Sequence, residues 1–246
     1  MAHQAGSTFI EKTKYHHMDR SDQARGVPQP PLELPFDKEG TIIDLPRPRE
    51  CASNPVDLRR AIEKRTSIRK YAQSSLSLSE LSLLLWCTQG VKEVAYHSAT
   101  FRTVPSAGAR HALETYLLVN RVDGLRPGIY RFLAIEHKLI EIDTSADLAD
   151  KVAEACFGQM FVKTSAVTFI WTAVPYRMTW RYGERGYRYL HLDAGHACQN
   201  LYLSAESIDC GVCAIAAFSD DHINPLVGID GQEQFVIYVA TVGKTP

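Results

Sequence analysis

Residues 105–132 read PSAGARHALETYLLVNRVDGLRPGIYRF, and this stretch decides the fold class. A loop of small residues leads into an apolar run, Glu114–Asn120, with the length and composition of a buried strand. Arg126-Pro127-Gly128 predicts a turn into a second strand at Ile129–Phe132, and Lys138–Ile142 is predicted to pair behind it. The centre of the chain is therefore predicted to be a sheet.

Helices and further strands continue the pattern on either side. Ser77 and Glu80 form the S-x-x-E capping box of a Leu-rich helix that ends at Gly90. The longest predicted helix, Tyr187–Ser207, repeats apolar or small residues every three or four positions. Two shorter helices are predicted at Val56–Lys64 and Ala146–Cys156, and two further strands at Ala166–Val174 and Gln234–Val242. Strands separated by helices in one continuous pattern predict a single α+β domain over residues 55–246.

The composition is that of an ordinary globular protein. The 246 residues carry 27 Lys+Arg against 28 Asp+Glu, which argues against a nucleic-acid binder that depends on bulk basicity. No apolar run approaches the roughly 20 residues that span a bilayer, and the N-terminal stretch lacks the apolar core of a secretory signal. We therefore expect neither a nucleic-acid nor a membrane partner. The six scattered cysteines favour a reduced, cytoplasmic setting.

The first 54 residues differ from the rest. Six of the twelve prolines lie between Pro28 and Pro48, where no helical or strand period is present. Proline fixes φ and removes a backbone donor, which favours an extended arm that runs over a surface. A disordered tail is the alternative. Docking of the arm is favoured by its apolar residues, Leu32, Leu34, Phe36, Ile42, Ile43 and Leu45.

Several common site motifs are absent from the sequence. There is no G-x-G-x-x-G after a strand, no P-loop and no G-x-S-x-G elbow. No H-E-x-x-H occurs, and His191 and His196 are five residues apart on different faces of a helix, so no metal site is predicted. Cys210 and Cys213 form a lone C-x2-C, for which packing in the core is favoured over a zinc or redox site.

One candidate anion site is the segment Arg65-Thr66-Ser67-Ile68-Arg69. Two guanidinium groups with a hydroxyl between them suit a phosphate, because arginine forms forked, charge-assisted hydrogen bonds to phosphate oxygens. Lys244, which follows the last strand, offers a third cation. A solvated basic end of a helix is the alternative, and the segment taken alone fits that interpretation better.

Two small-residue segments suit close approach to a flat ring. Pro105–Ala109 and Gly211–Ala217 have little side-chain bulk, so their backbone can contact an aromatic ligand and hydrogen-bond its heteroatoms. An ordinary connecting loop is the alternative for the first segment, and a buried turn is the alternative for the second.

A further candidate is the arginine- and aromatic-rich segment Tyr176–Tyr189. Arg177, Arg181, Arg185 and Arg188 step by four, four and three residues, so they would share one face of a helix. Such a face, with aromatic residues interleaved, can stack on and steer a polar or peptidic ligand. Packing through Arg–Glu pairs is one alternative, and a platform for single-stranded nucleic acid is another.

These pieces occur together, and in this order, in one family. R-x-S-x-R near the start of the domain, a P-S-A-G loop before a strand, a long small-residue helix with Gln-Asn-Leu and a terminal Val-Gly-Lys resemble the FMN-dependent nitroreductase superfamily. Three longer stretches resemble more narrowly the SagB-type dehydrogenases, which oxidise thiazolines and oxazolines in peptides to azoles. They are FIEKTKYHH (residues 9–17), residues 105–132, and RYGERGYRYLHLDAGHACQNLYLSAESIDCG (residues 181–211). The resemblance covers nearly the whole chain.

The resemblance implies an α+β fold with a mixed or antiparallel sheet flanked by helices, and an intertwined homodimer with two interfacial FMN sites. The arginines of the R-x-S-x-R motif, its serine and the C-terminal lysine would hold the phosphate and ribityl chain. The P-S-A-G loop would reach the flavin from the partner subunit. Small residues of the long helix, Ala194, Gly195, Ala197 and Cys198, would allow close packing in the dimer. Carried over by motif, the cofactor-binding residues are Arg65, Thr66, Ser67, Arg69, Pro105, Ser106, Ala107, Gly108, Ala214, Ile215, Ala216 and Lys244.

For catalysis, the resemblance implies hydride transfer from a substrate carbon to flavin N5 while a base removes a proton from the adjacent carbon. A Lys-Tyr pair is implicated in azoline oxidases of this type, and it aligns here with Arg181-Tyr182. Because arginine stays protonated in proteins, Tyr182 is the expected catalytic residue and Arg181 an electrostatic one.

The leading expectation is therefore an FMN-dependent enzyme that acts on a peptide or peptide-like substrate, with partner enzymes of a biosynthetic complex. A NAD(P)H-dependent nitro- or quinone reductase is the alternative within the superfamily. If the protein is not an enzyme, the alternative is a flavin-free scaffold protein of a biosynthetic complex.

Overall fold

The computed structural model describes residues 4–96 and 98–246, so residues 1–3 of the predicted arm lie outside the described residues. In chain order, the helices are α1 (Gln4–Lys12), α2 (Asp22–Arg25), α3 (Leu58–Lys64), α4 (Leu78–Gln89), α5 (Leu148–Ala155), α6 (Phe161–Thr164), α7 (Pro175–Tyr182), α8 (Gly186–Ala205) and α9 (Asp220–Leu226). The strands are β1 (Ile42–Asp44), β2 (Val91–Ala95), β3 (Ala99–Arg102), β4 (Leu113–Val119), β5 (Gly128–Leu133), β6 (Lys138–Asp143), β7 (Val167–Ala173), β8 (Cys210–Ile215) and β9 (Phe235–Lys244).

A seven-stranded antiparallel sheet organises the chain, in the order β1-β6-β5-β4-β7-β9-β8. At its centre, Leu117 of β4 lies opposite Tyr130 of β5 on one side and Phe169 of β7 on the other. Strands β2 and β3 form a separate hairpin. The predicted α+β fold with an antiparallel sheet is confirmed.

Helices cover both faces of this sheet, because strand side chains alternate between the faces. Leu117 and Trp171 belong to the larger apolar core, which includes residues of α4 and α8. Tyr116 and Ile170, their neighbours along the strands, face the opposite way into a second core with α5 and α9. Helix α8 therefore packs against one defined face of the sheet, and this helix positions most of the candidate site residues.

The capping box that begins α4 is present as predicted. Ser77 Oγ accepts the N–H of Glu80 (3.2 Å), and Glu80 Oε2 accepts the N–H of Ser77 (2.8 Å). The helix ends at Gly90, where a Cβ would come within 2.5 Å of Trp86. A cap of this kind stabilises a helix by about 1 kcal/mol.

The N-terminal arm is docked, but it is not extended throughout. Helices α1 and α2 precede the proline-rich part, in a stretch that contains no proline, and β1 joins the sheet with Ile42 opposite Ile140. Between them, Arg177 Nε donates to the carbonyl of Pro31 (2.9 Å) and Arg131 Nη2 to that of Leu34 (2.6 Å). The arm therefore has its own helices and a strand in addition to the extended segment that its prolines predict.

Strand β8, like β1 and the β2–β3 hairpin, is an element that the sequence pattern missed. Only two residues of its sequence, CGVCAI, are β-branched, and glycine, alanine and cysteine fill the other positions, yet Val212 pairs with Val242 of β9. Glycine at position 211 is required by packing, since a Cβ there would come within 2.6 Å of Ile68. All six cysteines of the chain are free thiols, and four of them are buried. Among the described residues, no helix combines the length and apolarity needed to cross a membrane.

Candidate active site

The R-x-S-x-R segment lies along the outer edge of β8. Ile68 N donates to the carbonyl of Val212 (2.9 Å), and Ser67 forms a parallel bridge with the same residue. Helix α3 ends just before this segment, at Lys64. The phosphate-site candidate and the 214–216 segment are thus adjacent parts of one sheet edge.

Tyr202, on α8, joins the candidate residues of this edge. Its hydroxyl lies 3.0 Å from Ser67 Oγ and accepts the N–H of Ala214 at 2.9 Å. The guanidinium of Arg65 lies over its ring, 5.1 Å from the centroid. Tyr202 is buried, and sequence analysis did not single it out. The sequence did carry one signal for Tyr202: it places a hydroxyl group at a buried position of a core helix, and a buried hydroxyl needs a hydrogen-bond partner.

The charges of this edge fit a phosphate. Arg65 and Arg69 form no ion pair with any residue that the structure describes. Arg69 is exposed beside the exposed Ser67. Lys244 differs from the two arginines, because its Nζ is bound to Glu80 and to the carbonyl of Ile208. Two free guanidinium groups and a hydroxyl are therefore available to an anion, and the third candidate cation is already paired.

The three residues expected beside the flavin ring do not present equivalent side chains. Ala214 is half-buried and Ala216 is exposed, whereas the side chain of Ile215 is buried in the core with α5 and α9. Alternation along the strand explains the difference, since Ala214 and Ala216 face the side of α8 and Ile215 faces away from it.

The P-S-A-G loop is held by hydrogen bonds to itself and to α8. Ser106 Oγ accepts the N–H of His111 (2.9 Å), and Asp193 Oδ1 accepts the N–H of Ala107 (3.4 Å). Burial raises the pKa of Asp193, and its Oδ2 is buried without a hydrogen-bond partner in the described part of the chain. Asp193 is thus a second residue of α8 that orders the site and that sequence analysis did not single out.

The candidate catalytic pair ends α7 and lies directly on this loop. The hydroxyl of Tyr182 lies against Gly108, so close that a Cβ added to this glycine would collide with it. Arg181 Nη1 lies 3.4 Å from the carbonyl of Gly108. Gly108 has a φ of +58°, which favours glycine. Arg181 is exposed, and its guanidinium lies 5.6 Å from the centroid of the Tyr182 ring. The structure therefore brings Arg181, Tyr182 and the P-S-A-G loop together within one chain.

The predicted common face of four arginines is wrong, because the helix is interrupted. Gly183, with a φ of +55°, ends α7 before α8 begins. Arg177 is buried and forms an ion pair with Glu114, as one of the alternatives for this segment predicted. Arg185 and Arg188 instead donate hydrogen bonds to Thr13 of the N-terminal arm. Of the four, Arg181 is the one that is exposed.

The N-terminal arm reaches the candidate pair through α8. Arg188 Nε donates to Thr13 Oγ1 (2.6 Å), and Arg185 Nη1 donates to the carbonyl of Thr13 (3.0 Å). Tyr15 Oη lies 2.9 Å from Tyr189 Oη, and the Tyr189 ring meets the Tyr182 ring edge-to-face at 4.9 Å. The arm thus supports the side chains that pack around Tyr182.

The candidate residues form two clusters at different positions along the axis of α8. The phosphate-side cluster consists of Arg65, Ser67, Arg69 and Ala214 around Tyr202. The loop-side cluster consists of the P-S-A-G loop, Arg181 and Tyr182 near Asp193. Asp193 and Tyr202 are nine residues apart, which corresponds to about 14 Å along a helix axis.

Comparison with known proteins assigns the family. The sequence profile of the nitroreductase family matches residues 62–244. A protein named as a nitroreductase from Methanocaldococcus jannaschii is 34% identical over 189 residues, which cover 77% of this chain and 91% of that protein. The trifolitoxin-processing protein TfxB of Rhizobium leguminosarum bv. trifolii is 32% identical over 141 residues, which cover 54% of this chain and 38% of TfxB.

Solved structures give the same fold. A nitroreductase-like protein from Anabaena variabilis superposes with a TM-score of 0.70 at 29% identity, over 85% of this chain and 42% of that one. A chain of the E. coli microcin synthetase McbBCD complex with truncated pro-MccB17 bound gives 0.62 at 16% identity, over 99% and 95%. A nitroreductase-like protein from Desulfovibrio desulfuricans, solved in complex with FMN, gives 0.54 at 16% identity, over 77% and 87%.

These matches differ in the share of each chain that they cover and in sequence identity. This chain spans less than half the length of TfxB and of the Anabaena protein. The microcin synthetase and Desulfovibrio structures, at 16% identity, support the fold alone, and the second shows that a protein of this fold binds FMN. The family profile covers most of the chain, and the Methanocaldococcus protein matches over most of both lengths. The chain therefore belongs to the nitroreductase family.

Proposed function

We propose that this chain is an FMN-dependent dehydrogenase or oxidase of the SagB type. Its substrate would be a thiazoline- or oxazoline-like ring, or a related peptide-derived intermediate, in the maturation of a natural product. The observation that carries the proposal is the contact between the Tyr182 hydroxyl and Gly108, because it joins a candidate base to the P-S-A-G loop. Similarity to TfxB and to the microcin synthetase complex supports a peptide substrate and partner enzymes.

The residues of the phosphate-side cluster fit FMN. Arg65 and Arg69, which have no carboxylate partner among the described residues, would bind the phosphate together with Ser67. The small side chains of Ala214 and Ala216 leave space beside the sheet edge for a flat ring. Ile215 would contribute its backbone alone, since its side chain is buried on the other face of the sheet.

The loop-side cluster would carry out the proton transfer. When bound, FMN supplies a ring that accepts a hydride from carbon. The tyrosinate form of Tyr182 would accept the proton that leaves the adjacent carbon of the substrate ring and become the neutral phenol, so that the product becomes aromatic. Arg181, exposed beside it, would stabilise the negative charge of the tyrosinate before the proton is transferred, or hold a substrate carbonyl. Gly108 and Tyr189 limit the positions that the Tyr182 ring can take.

We further propose that two copies of the chain complete each site. The phosphate-side and loop-side clusters of one copy are about 14 Å apart along α8. A second copy packed against this helix could place its loop-side cluster beside the phosphate-side cluster of the first. The exposed side of α8 carries Leu192, which is 58% exposed, and Gly195, where a Cβ would meet no neighbouring atom of the described chain within 4 Å. The other small residues expected in the dimer, Ala194, Ala197 and Cys198, are buried in the chain's own core.

Flavin content tests the cofactor part of the proposal. We expect the purified protein to be yellow, to release FMN on denaturation, and to elute as a dimer. Arg65→Ala and Arg69→Ala should each reduce the bound FMN, whereas Arg59→Ala, an exposed arginine of α3 paired with Glu63, should not. A colourless protein that binds no added FMN would support the scaffold alternative and overturn the proposal.

Turnover tests the reaction part. The protein should convert a thiazoline-containing peptide to the thiazole, which is detected by mass spectrometry as the loss of two hydrogens. Tyr182→Phe should abolish this conversion while FMN content is retained. Rapid consumption of NAD(P)H with nitroaromatics, with no conversion of azolines, would instead establish the reductase alternative.

A further inference from the structure

The N-terminal arm carries three possible metal ligands that the proposed oxidation does not use. Glu11 lies near the end of α1, and His16 and His17 lie in the 3₁₀ turn that follows. Their ligand atoms all lie within 4.8 Å of one another. The three residues are exposed, so a cation can reach them from solvent.

The spacing of these atoms suits a shared cation better than direct hydrogen bonds. Glu11 Oε1 lies 3.4 Å from His17 Nε2 and 3.8 Å from His16 Nε2. Hydrogen bonds between such groups are usually about 2.7–3.2 Å long. Two ligand atoms that are each about 2.0–2.1 Å from a tetrahedral Zn²⁺ are about 3.3–3.4 Å apart. The Glu11–His17 separation matches that value, and the Glu11–His16 separation is slightly longer.

The backbone that presents the ligands is anchored to α8. Thr13 is 3% exposed and receives hydrogen bonds from both Arg185 and Arg188. The guanidinium of Arg185 also lies 4.1 Å from the centroid of the Tyr15 ring. Glu11 and His16 stand on either side of this anchor. Binding a cation therefore requires ordering of three side chains rather than of a free segment, which lowers the entropic cost.

Lys14 is the charged neighbour of the ligand set. Its Nζ forms an ion pair with Glu11 Oε2, whereas the contacts of the two imidazoles are to Oε1. A carboxylate whose second oxygen is held by another side chain is a common arrangement around bound metals.

We propose that Glu11, His16 and His17 bind one Zn²⁺ ion, with a coordination position left open to water. Two imidazoles and one carboxylate form a donor set that suits zinc, whereas Mg²⁺ and Ca²⁺ prefer oxygen ligands alone. A bound ion would tie the end of α1 to the turn that contains Tyr15, whose hydroxyl contacts Tyr189. This site is distinct from the two clusters on α8.

The test uses untagged, full-length protein that has been stripped of metal and kept reduced. Zn²⁺ is titrated in competition with a chromophoric chelator, and we expect one tight site per chain that excess Mg²⁺ does not occupy. Glu11→Gln and His17→Gln should each weaken binding at least tenfold. His191→Gln, at an exposed histidine of α8 outside the group, should leave binding unchanged.

The variants should fold, because the substituted side chains are exposed; circular dichroism and the melting temperature without zinc check this. Absence of a saturable 1:1 site in the parent protein would overturn the proposal. Wild-type affinity in the His16→Gln/His17→Gln double variant would also overturn it, and would point to thiols such as Cys51. Neither measurement depends on flavin content or turnover, so the outcome is independent of the proposed function.

Discussion

The hydroxyl of Tyr182 occupies the space that a side chain at Gly108 would need. Because Gly108 also has a φ of +58°, glycine is required there both by the backbone and by the tyrosine above it. The loop and the candidate base are therefore in direct contact, and a side chain at position 108 would displace the tyrosine.

Gly108→Ala should lower the rate of substrate oxidation at least tenfold, since the new Cβ displaces Tyr182. The matched control is Gly124→Ala, in the turn between β4 and β5. Gly124 has a φ of +84°, so alanine there carries a similar backbone cost of about 1–2 kcal/mol, yet its Cβ meets no described atom within 4 Å. Equal losses of turnover in the two variants would show that backbone strain alone is responsible.

Tyr202→Phe tests whether this residue organises the FMN phosphate side. The variant keeps the ring below Arg65 but leaves Ser67 and the N–H of Ala214 without their shared partner. Loss of such a hydrogen bond costs about 1 kcal/mol or somewhat more, so the dissociation constant for FMN should rise about tenfold. Fluorescence titration of the stripped protein measures it.

Tyr130→Phe is the control for that experiment. Its hydroxyl also donates one hydrogen bond, to the carbonyl of Arg126 (2.8 Å), but it lies on β5 and away from the phosphate-side cluster. Its effect should be on stability and not on FMN affinity. If the two variants bind FMN equally well, Tyr202 has no organising role.

Glu114 holds the proline-rich arm to the sheet. It is fully buried, accepts the N–H of Leu34 (3.0 Å), and pairs with Arg177 and Arg131. Burial alone would raise the pKa of Glu114, but the two guanidinium groups outweigh it, and the pKa is lowered. The carboxylate therefore stays ionised and paired at neutral pH.

Glu114→Gln should destabilise the fold by about 3–5 kcal/mol, because it leaves buried arginines without a counter-charge. Urea unfolding measures the loss. Glu141→Gln, which breaks the more exposed ion pair with Arg126, should cost no more than about 1 kcal/mol. Similar losses in both variants would mean that the buried cluster does not fasten the arm.

Glu33 predicts a pH dependence of stability. Its Oε1 accepts the N–H of Ala134 (2.6 Å). Burial, with the nearby charges of Glu114 and Glu136, raises the pKa of Glu33 from 4.5 to about 7. The folded chain therefore binds this proton more tightly than the unfolded chain, and stability falls as the pH rises from about 4.5 to about 7.

Glu33→Gln keeps an accepting oxygen and cannot ionise. It should be more stable than the parent protein at pH 8, by up to about 3 kcal/mol, and the difference should vanish below about pH 4. Thermal unfolding at a series of pH values measures this, with Glu63→Gln on the exposed side of α3 as the control. A constant difference at all pH values would contradict the shifted pKa.

The elements with strong local signals were predicted well. The capping box of α4 involves the residues Ser77 and Glu80, and α8, at Gly186–Ala205, lies within two residues of the predicted helix at each end. Both helices can be predicted from residues that are close in sequence. For α4 these residues are the capping pair, and for α8 they are the apolar and small residues that recur every three or four positions.

The misses that bear on the site share a physical cause, since they depend on contacts between distant residues. Strand β8 is stabilised by β9 and by segment 65–69, not by its own propensity. Arg185 and Arg188 were expected to meet a ligand, but they bind Thr13 of the arm, more than 170 positions away. Tyr202 and Asp193 acquire their roles only when α8 meets the sheet edge and the P-S-A-G loop. No local pattern reports such partners.

In the proposed reaction, a substrate ring reduces FMN held by this protein, with Tyr182 as the base. The direct measurement is rapid, anaerobic mixing of the FMN-loaded protein with a thiazoline-containing peptide while the flavin absorbance is followed. We expect bleaching of the oxidised flavin, with formation of one thiazole per flavin and loss of both signals in Tyr182→Phe. Persistent oxidised flavin with the peptide, together with bleaching by NAD(P)H, would contradict it.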